Sequence, residues 1–121
     1  MSALAIIGPI AFGLLALLYG ILALKARAGT LPLRSAIGLH NRELEASEEA
    51  WETGHRAAWP ILGMAAAVSA FHAIGSVIAG VLMGEDGRGF LTALVVSGIV
   101  VVLALWFVAS AAAVNAVKRM E

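Results

Sequence analysis

The 121-residue sequence contains no cysteine, and only 13% of its residues are charged. The absence of cysteine excludes disulfides, iron–sulfur clusters and thiol catalysis. A soluble domain carries about a quarter charged residues, so this low charge content is typical of membrane proteins. Eight basic residues balance eight acidic ones. Because there is no excess of basic residues, we do not expect nucleic acid as a partner. A soluble enzyme and a disordered tail are excluded on the same grounds.

Three long stretches contain no Asp, Glu, Lys or Arg, namely residues 1–24, 57–84 and 89–117. Each exceeds the roughly 20 helical residues that cross a hydrocarbon core. Because lipid offers no hydrogen-bond partners, a membrane span of this kind must be a helix. The sequence therefore predicts an all-α membrane protein, a single membrane domain over 1–121. We place its spans at about 3–24, 60–83 and 90–116, with a loop over 25–59 and a tight, glycine-rich turn over 84–89.

The first apolar stretch ends near Ala26-Arg27-Ala28, which resembles a signal-peptide cleavage site. However, no Lys or Arg precedes the stretch, and it is longer than the roughly 7–15 apolar residues of a signal peptide. We therefore expect a retained membrane anchor.

The distribution of Lys and Arg predicts an orientation. The loop between spans one and two carries five of them, the turn between spans two and three carries only Arg88, and the C-terminal tail carries Lys118 and Arg119. Cytoplasmic segments carry the excess of Lys and Arg. We expect a multi-pass protein of the cell (plasma) membrane, with the N-terminus outside and the loop and C-terminus in the cytoplasm.

Small residues recur at steps of three and four in each span, and such stripes favour close helix packing in lipid. The predicted contact lines are Gly13, Ala16, Gly20 and Ala23 in span one; Ala65, Ser69, His72, Ser76, Ala79 and Met83 in span two; and residues 109–113 with Asn115 and Ala116 in span three.

His72 lies near the predicted middle of span two. An ionisable residue at this depth is by default a candidate for a proton relay, an ion pathway or a ligand contact. The alternative is a neutral imidazole that hydrogen-bonds a serine or a backbone carbonyl across the bundle. No Asp, Glu, Lys or Arg in the predicted spans completes a relay.

The end of the loop predicts a short amphipathic cytoplasmic helix that leads into span two. Ser47 suits the N-cap, and two glutamates follow it in the first turn. Glu52 and Arg56 are spaced to pair at i, i+4. The indoles of Trp51 and Trp59 suit the headgroup layer. Pro60 either starts the membrane helix or kinks the junction.

The same helix offers one candidate metal pair, Glu52 with His55, and His40 with Glu43 offers a second. Carboxylate metal sites on helical bundles repeat this spacing and add glutamates from neighbouring helices. Here the neighbours are apolar spans. We expect no metal, no cofactor and no catalytic residue, since nothing marks a nucleophile or an oxyanion hole.

Residues 47–56, Ser-Glu-Glu-Ala-Trp-Glu-Thr-Gly-His-Arg, resemble the signature of the SdpI family. Members of that family carry Ser-x-Glu-x-Trp-x-x-x-His-Arg just before a membrane span. Nine residues upstream of the serine they have a glycine and a hydrophobic residue, matched here by Gly38 and Leu39, followed by Arg-Thr. His40 and Asn41 replace that Arg-Thr. The family pattern of one span, a motif loop and two spans covers the whole chain.

The resemblance implies a non-enzymatic membrane protein that protects its producer against a secreted toxin or holds a regulator at the membrane. It also implies that Gly38, Glu49, Trp51, His55 and Arg56 form a surface for a protein partner. The other interpretation of the same residues is structural, with Trp51 as an interfacial anchor and the charged residues holding the loop against the membrane.

Two further functions stay open at the level of sequence. One is a small accessory or assembly subunit of a larger membrane complex, favoured by the small-residue stripes and the thin bundle. The other is a transporter or channel formed by a homo-oligomer around His72. In each case the partners are the lipid bilayer and protein.

Overall fold

The computed structural model describes residues 3–120, and within that range the chain forms helices and turns without a strand. Three of the helices are long and apolar enough to cross a membrane. The predicted all-α class with three candidate membrane spans is therefore confirmed at this level.

The first helix, α1, runs over Ala3–Ala28. The second, α2, covers Glu48–Val77 and continues into a π-helical turn, Ile78–Leu82. The third, α3, covers Arg88–Lys118. Two short 3₁₀ turns, Leu44–Ala46 and Gly84–Gly87, precede α2 and α3.

No separate amphipathic helix stands between the loop and span two. The segment that begins at Glu48 instead forms the first turns of α2, which passes through Pro60 unbroken. Proline has no N–H, so the carbonyl of Arg56 lacks its usual partner in the helix. Because Pro60 is exposed, this carbonyl lies on the outer side of the bundle, where groups from outside the helix can bond it. A proline in this position is compatible with one continuous helix.

The central helix of the bundle is α2, and the other two helices lie on either side of it. Both α1 and α3 pack along α2, while they contact each other at few points. Near one end of the bundle Gly80 lies against Ala5, and near the other Gly63 lies beside Ala23. These contacts show that α1 and α2 run antiparallel, and the turn at Gly84–Gly87 makes α2 and α3 antiparallel too.

The predicted contact line of α2 is largely confirmed. Its members from Ala65 to Ala79 are buried, whereas Met83 is exposed. The predicted line of α3 is confirmed only at Ala109, Ala113 and Ala116, which are buried. Ser110 and Ala112 are half-buried, and Ala111 and Asn115 are exposed.

The predicted contact line of α1 is wrong in three of its four positions. Gly13, Ala16 and Gly20 are only half-buried, and the buried line is instead Ala5, Gly8, Phe12, Tyr19, Leu22, Ala23 and Ala26. The reason is that small residues on α2 and α3 leave space for large ones on α1. Close approach needs a small residue on only one side of the contact.

All three helices meet at Gly98 of α3. A β-carbon there would collide with the ring of Phe12 and would lie 2.7 Å from the ring of His72. The two rings belong to α1 and α2, and their centroids are 5.4 Å apart. Glycine at position 98 therefore allows α3 to pack against both neighbours at once.

Large apolar side chains cover the outside of the bundle. Phe71, Leu82 and Phe107 are 67%, 78% and 70% exposed. A monomeric soluble protein rarely presents so much contiguous apolar surface. The outer faces are consistent with a lipid bilayer as the environment.

We expect Gly98→Ala to destabilise the bundle by about 1–3 kcal/mol, because the added methyl group overpacks the contact with Phe12 and His72. Thermal unfolding in a mild detergent measures the effect. Gly13→Ala is the matched control, since nothing lies within 4 Å of a β-carbon at that position. Equal melting temperatures for the two variants would contradict the packing described here.

Candidate functional site

The loop between α1 and α2 folds back over the first turns of α2. Helix α2 begins where the sequence predicts, because the Ser47 hydroxyl oxygen accepts a hydrogen bond from the Ala50 N–H at 3.0 Å. Glu48 and Glu49 occupy its first turn, where negative charge favours the helix. The N-cap prediction is confirmed.

Trp51 lies beneath this loop and is only 2% exposed. Its indole N–H donates to the carbonyl of Leu31 at 3.1 Å. We expected an interfacial anchor exposed to headgroups, but the Trp51 indole is enclosed by the protein instead. Trp59 is the indole that lies nearer the surface, and the guanidinium of Arg27 stacks over its ring at 5.0 Å.

His55 is buried beside Trp51, with the two ring centroids 4.3 Å apart. Its Nε2 atom accepts from the Leu39 backbone N–H at 2.9 Å, so the ring proton is on Nδ1. That proton is donated to the Trp51 carbonyl at 2.8 Å. Both ring nitrogens are therefore occupied, and the bonds require a neutral imidazole.

Gly38 is the point where the loop comes closest to these two side chains. A β-carbon at this position would lie 2.5 Å from two carbons of the Trp51 ring and 3.1 Å from the His55 Nε2. A larger residue would thus push the loop off α2. We name the set Leu31, Gly38, Leu39, Trp51 and His55 the loop clip.

A second contact of the loop with α2 was not predicted. Leu44 is fully buried, and a β-carbon on Gly54 would lie 2.8 Å from its side chain. The only signal in the sequence is Gly54 itself, because a glycine inside a helix weakens the helix and usually has a packing reason.

The other two predicted partner-binding residues, Glu49 and Arg56, are exposed. The Arg56 guanidinium pairs with the Glu52 carboxylate at 3.0 Å, as the i, i+4 spacing predicts. Together with Thr53 and with Ala116 of α3, these residues line a shallow groove of about 420 Å³. The structure thus brings three of the five predicted residues together in the loop clip and leaves two on the outer face of α2.

His40 pairs with Glu45 rather than with Glu43. Its Nδ1 lies 2.8 Å from the Glu45 carboxylate and its Nε2 lies 3.3 Å from the Ala36 carbonyl. Because both neighbours are acceptors, the protonated ring can donate to both of them. The hydrogen bond to Glu45 raises the pKa of His40 above its ordinary value of 6.5.

The two candidate metal pairs do not assemble into a larger set. Within residues 3–120, no three His, Asp or Glu side chains are grouped so that they could hold a metal ion. The nitrogens of His55 are bonded to the backbone, and Glu52 is bonded to Arg56.

His72 is 8% exposed and lies between the rings of Phe12 and Phe71. Its Nδ1 lies 2.8 Å from the Val68 carbonyl of its own helix, rather than from a group across the bundle. The buried hydroxyls of Ser69 and Ser76 have no hydrogen-bond partner among the described residues.

Comparisons with protein-family models, with curated proteins and with solved structures each returned no match. The resemblance to the SdpI family therefore stays a prediction from residues 47–56. What the fold defines is an all-helical chain with three candidate membrane spans and a folded loop held against the start of the central helix.

We expect His55→Phe to release the loop, because it keeps a ring under Gly38 but leaves the buried Leu39 N–H without an acceptor. An unsatisfied buried donor costs about 1–3 kcal/mol. Tryptic cleavage after Arg34 and Arg42 in detergent measures how often the loop opens, and it should be at least fivefold faster than in the unmodified protein. Arg56→Ala, one residue along and exposed, should cleave in the loop at the unmodified rate. Similar rates for both variants would disprove the clip.

The raised pKa of His40 predicts a pH dependence with a definite sign. The folded protein binds the His40 proton more tightly than the unfolded chain does. The His40–Glu45 pair therefore adds its full contribution to the free energy of unfolding below about pH 6.5, and this contribution is lost as the pH rises through the folded-state pKa. The His40 ring signals in an NMR titration should have a midpoint above 6.5, and Glu45→Gln should lower that midpoint. A midpoint unchanged by Glu45→Gln would contradict the pairing.

Proposed function

We propose that this chain is a non-enzymatic, SdpI-like membrane protein that gives immunity to a secreted antimicrobial peptide or holds a regulator at the membrane. The proposal includes a place in the bacterial inner membrane, with the N-terminus outside and the folded loop in the cytoplasm. The long charge-free stretch in each of the three helices and the excess of Lys and Arg in the loop support it.

One observation carries the proposal, namely that the motif of residues 47–56 has an inner and an outer face. Ser47, Trp51 and His55 bond to the backbone of the chain itself and so account for the folded loop. Glu49 and Arg56 lie exposed on α2, and the Glu52–Arg56 pair lies beside Gly29, where the loop begins. The inner face builds a rigid platform, and we propose that the outer face contacts the partner.

The outer face offers charges of both signs in a small area. Glu49 and the Glu52–Arg56 pair stand beside the end of α3 at Ala116. An exposed ion pair contributes about 0–1 kcal/mol to folding, so its side chains can exchange partners at low cost. This suits a surface that binds another protein through charge and hydrogen bonds.

The second candidate function is an accessory or assembly subunit of a larger membrane complex. The observation that favours it is the stripe on α1 that the fold leaves uncovered. Gly13 and Gly20 are only half-buried, and a β-carbon on either would have no neighbour within 4 Å. Small residues open to the membrane allow another helix to approach closely.

We expect cells that lack the gene to become sensitive to at least one peptide in a panel of secreted antimicrobial peptides, or to change the expression of a neighbouring operon. Restoring the gene should reverse the change, and Glu49→Ala with Arg56→Ala should not. The two-residue variant should keep the slow tryptic cleavage of the loop, since neither side chain belongs to the loop clip. Glu85→Ala with Arg88→Ala, at the opposite end of the bundle, is the matched control and should protect fully.

Purification in a mild detergent separates the two candidate functions. Recovery in fixed ratio with a large complex would favour the subunit. Recovery as a monomer or homo-oligomer, together with full protection by the Glu49 and Arg56 double variant, would refute both the subunit and the proposed outer-face contact.

A further inference from the structure

A groove lies between α1 and α3 on the side of α2 that faces the loop. It exists because α1 and α3 both pack on α2 but meet each other at few points. Its volume is about 340 Å³, and its walls include Leu18 and Leu22 of α1 and Trp106 of α3. The loop covers one end of the groove with Ile37 and His40. The remaining side opens to the surroundings of the bundle.

The aromatic residues around the groove indicate its depth in the membrane. Tyr19 and Trp106 meet edge to face with ring centroids 6.0 Å apart. Tyrosine and tryptophan are enriched where hydrocarbon meets headgroups. Trp59, with Arg27 stacked over its ring, is another aromatic residue typical of this boundary, and it lies at the same end of the bundle. The groove thus extends from the headgroup level, at the loop, into the hydrocarbon layer.

Basic side chains lie near the loop end of the groove. His40 lines the groove and pairs with Glu45, and the Arg34 guanidinium donates to the carbonyl of the same Glu45 at 3.2 Å. Lys25 follows Leu18 by seven residues on α1, so both lie on the same helix face, with Lys25 nearer the loop. Within residues 3–120, the Glu45 carboxylate pairs with His40, and neither Arg34 nor Lys25 has a carboxylate within 4.0 Å. Two cations without a carboxylate partner therefore lie towards the loop end of an apolar groove.

We propose that this groove binds one acyl chain of an anionic phospholipid, with the phosphate held by Lys25 and Arg34. The apolar walls match the chain, and the cations match the headgroup at the level where headgroups lie. The lipid bilayer around the protein supplies this ligand directly. The site requires only that the loop end of the bundle lies at a membrane surface, so it goes beyond the proposed function and does not depend on it.

Native mass spectrometry of the full chain, purified in detergent, tests the proposal with added phosphatidylglycerol or phosphatidylcholine. We expect one tightly held phosphatidylglycerol, bound at least tenfold more strongly than phosphatidylcholine. Leu18→Trp should fill the groove and remove this lipid. Leu17→Trp is the matched control, because Leu17 is 63% exposed and faces away from the groove, and it should retain the lipid.

A second pair of variants tests the headgroup contact without filling the groove. Lys25→Gln with Arg34→Gln should reduce the preference for phosphatidylglycerol to less than threefold, and Arg88→Gln at the opposite end of the bundle should leave it unchanged. An unchanged melting temperature in detergent shows that each variant is folded, since Lys25→Gln and Arg34→Gln themselves remove tryptic sites. If Leu18→Trp fails to fold, the Lys25 and Arg34 variant decides the question by itself.

Three outcomes would overturn the proposal. Equal binding of the two lipids shows only the general lipid shell of a membrane protein. Displacement of the lipid by inorganic phosphate, with no loss in Leu18→Trp, shows an anion site without an acyl chain. Retention of phosphatidylglycerol by every variant places the lipid elsewhere on the bundle.

Discussion

A loop that lies against helices must find partners for its own backbone groups, because each buried group left unpaired costs about 1–3 kcal/mol. Here the side chains of α2 supply them. The Trp51 indole bonds the carbonyl of Leu31, and the His55 ring bonds the N–H of Leu39. These two bonds hold the loop over α2, and the other features of this end of the bundle follow from that placement. They include the pairing of His40, the cover of the groove and the outward position of Arg56.

The packing of the three helices follows from the size of the side chains rather than from their polarity. Lipid solvates leucine as well as another helix does, so helices in a membrane associate through close contact. In this chain α2 contributes mostly small residues, such as Ala65 and Ala79, and α1 contributes large ones, such as Phe12, between small ones, such as Ala5. A central helix with a slim surface can accept a neighbour on each side, which leaves α1 and α3 apart. The groove is therefore a direct result of where the small residues are.

Much of the fold could be predicted from the sequence, because charge-free length decides the helices and Ser47 decides where α2 begins. The contact line of α2 was predictable because its small residues recur at steps of three and four. The burial of Trp51 was not, since an indole finds suitable surroundings both at a lipid surface and under a loop. Nor did the sequence indicate that His55 meets Leu39, a contact across 16 positions of chain with no local pattern. The predicted contact line of α1 was wrong because a stripe of small residues does not show whether a helix of the same chain packs against it.

The central helix also sets a mechanical relation between the two ends of the protein. From Glu48 to Leu82 it is continuous over 35 residues, which corresponds to about 52 Å at the rise of an α-helix, against about 30 Å of hydrocarbon. One end of the helix carries Trp51 and His55, and the other end carries the π-helical turn. A stiff rod transmits axial displacement along its length, so a pull on the π-helical turn would also strain the two hydrogen bonds that hold the loop.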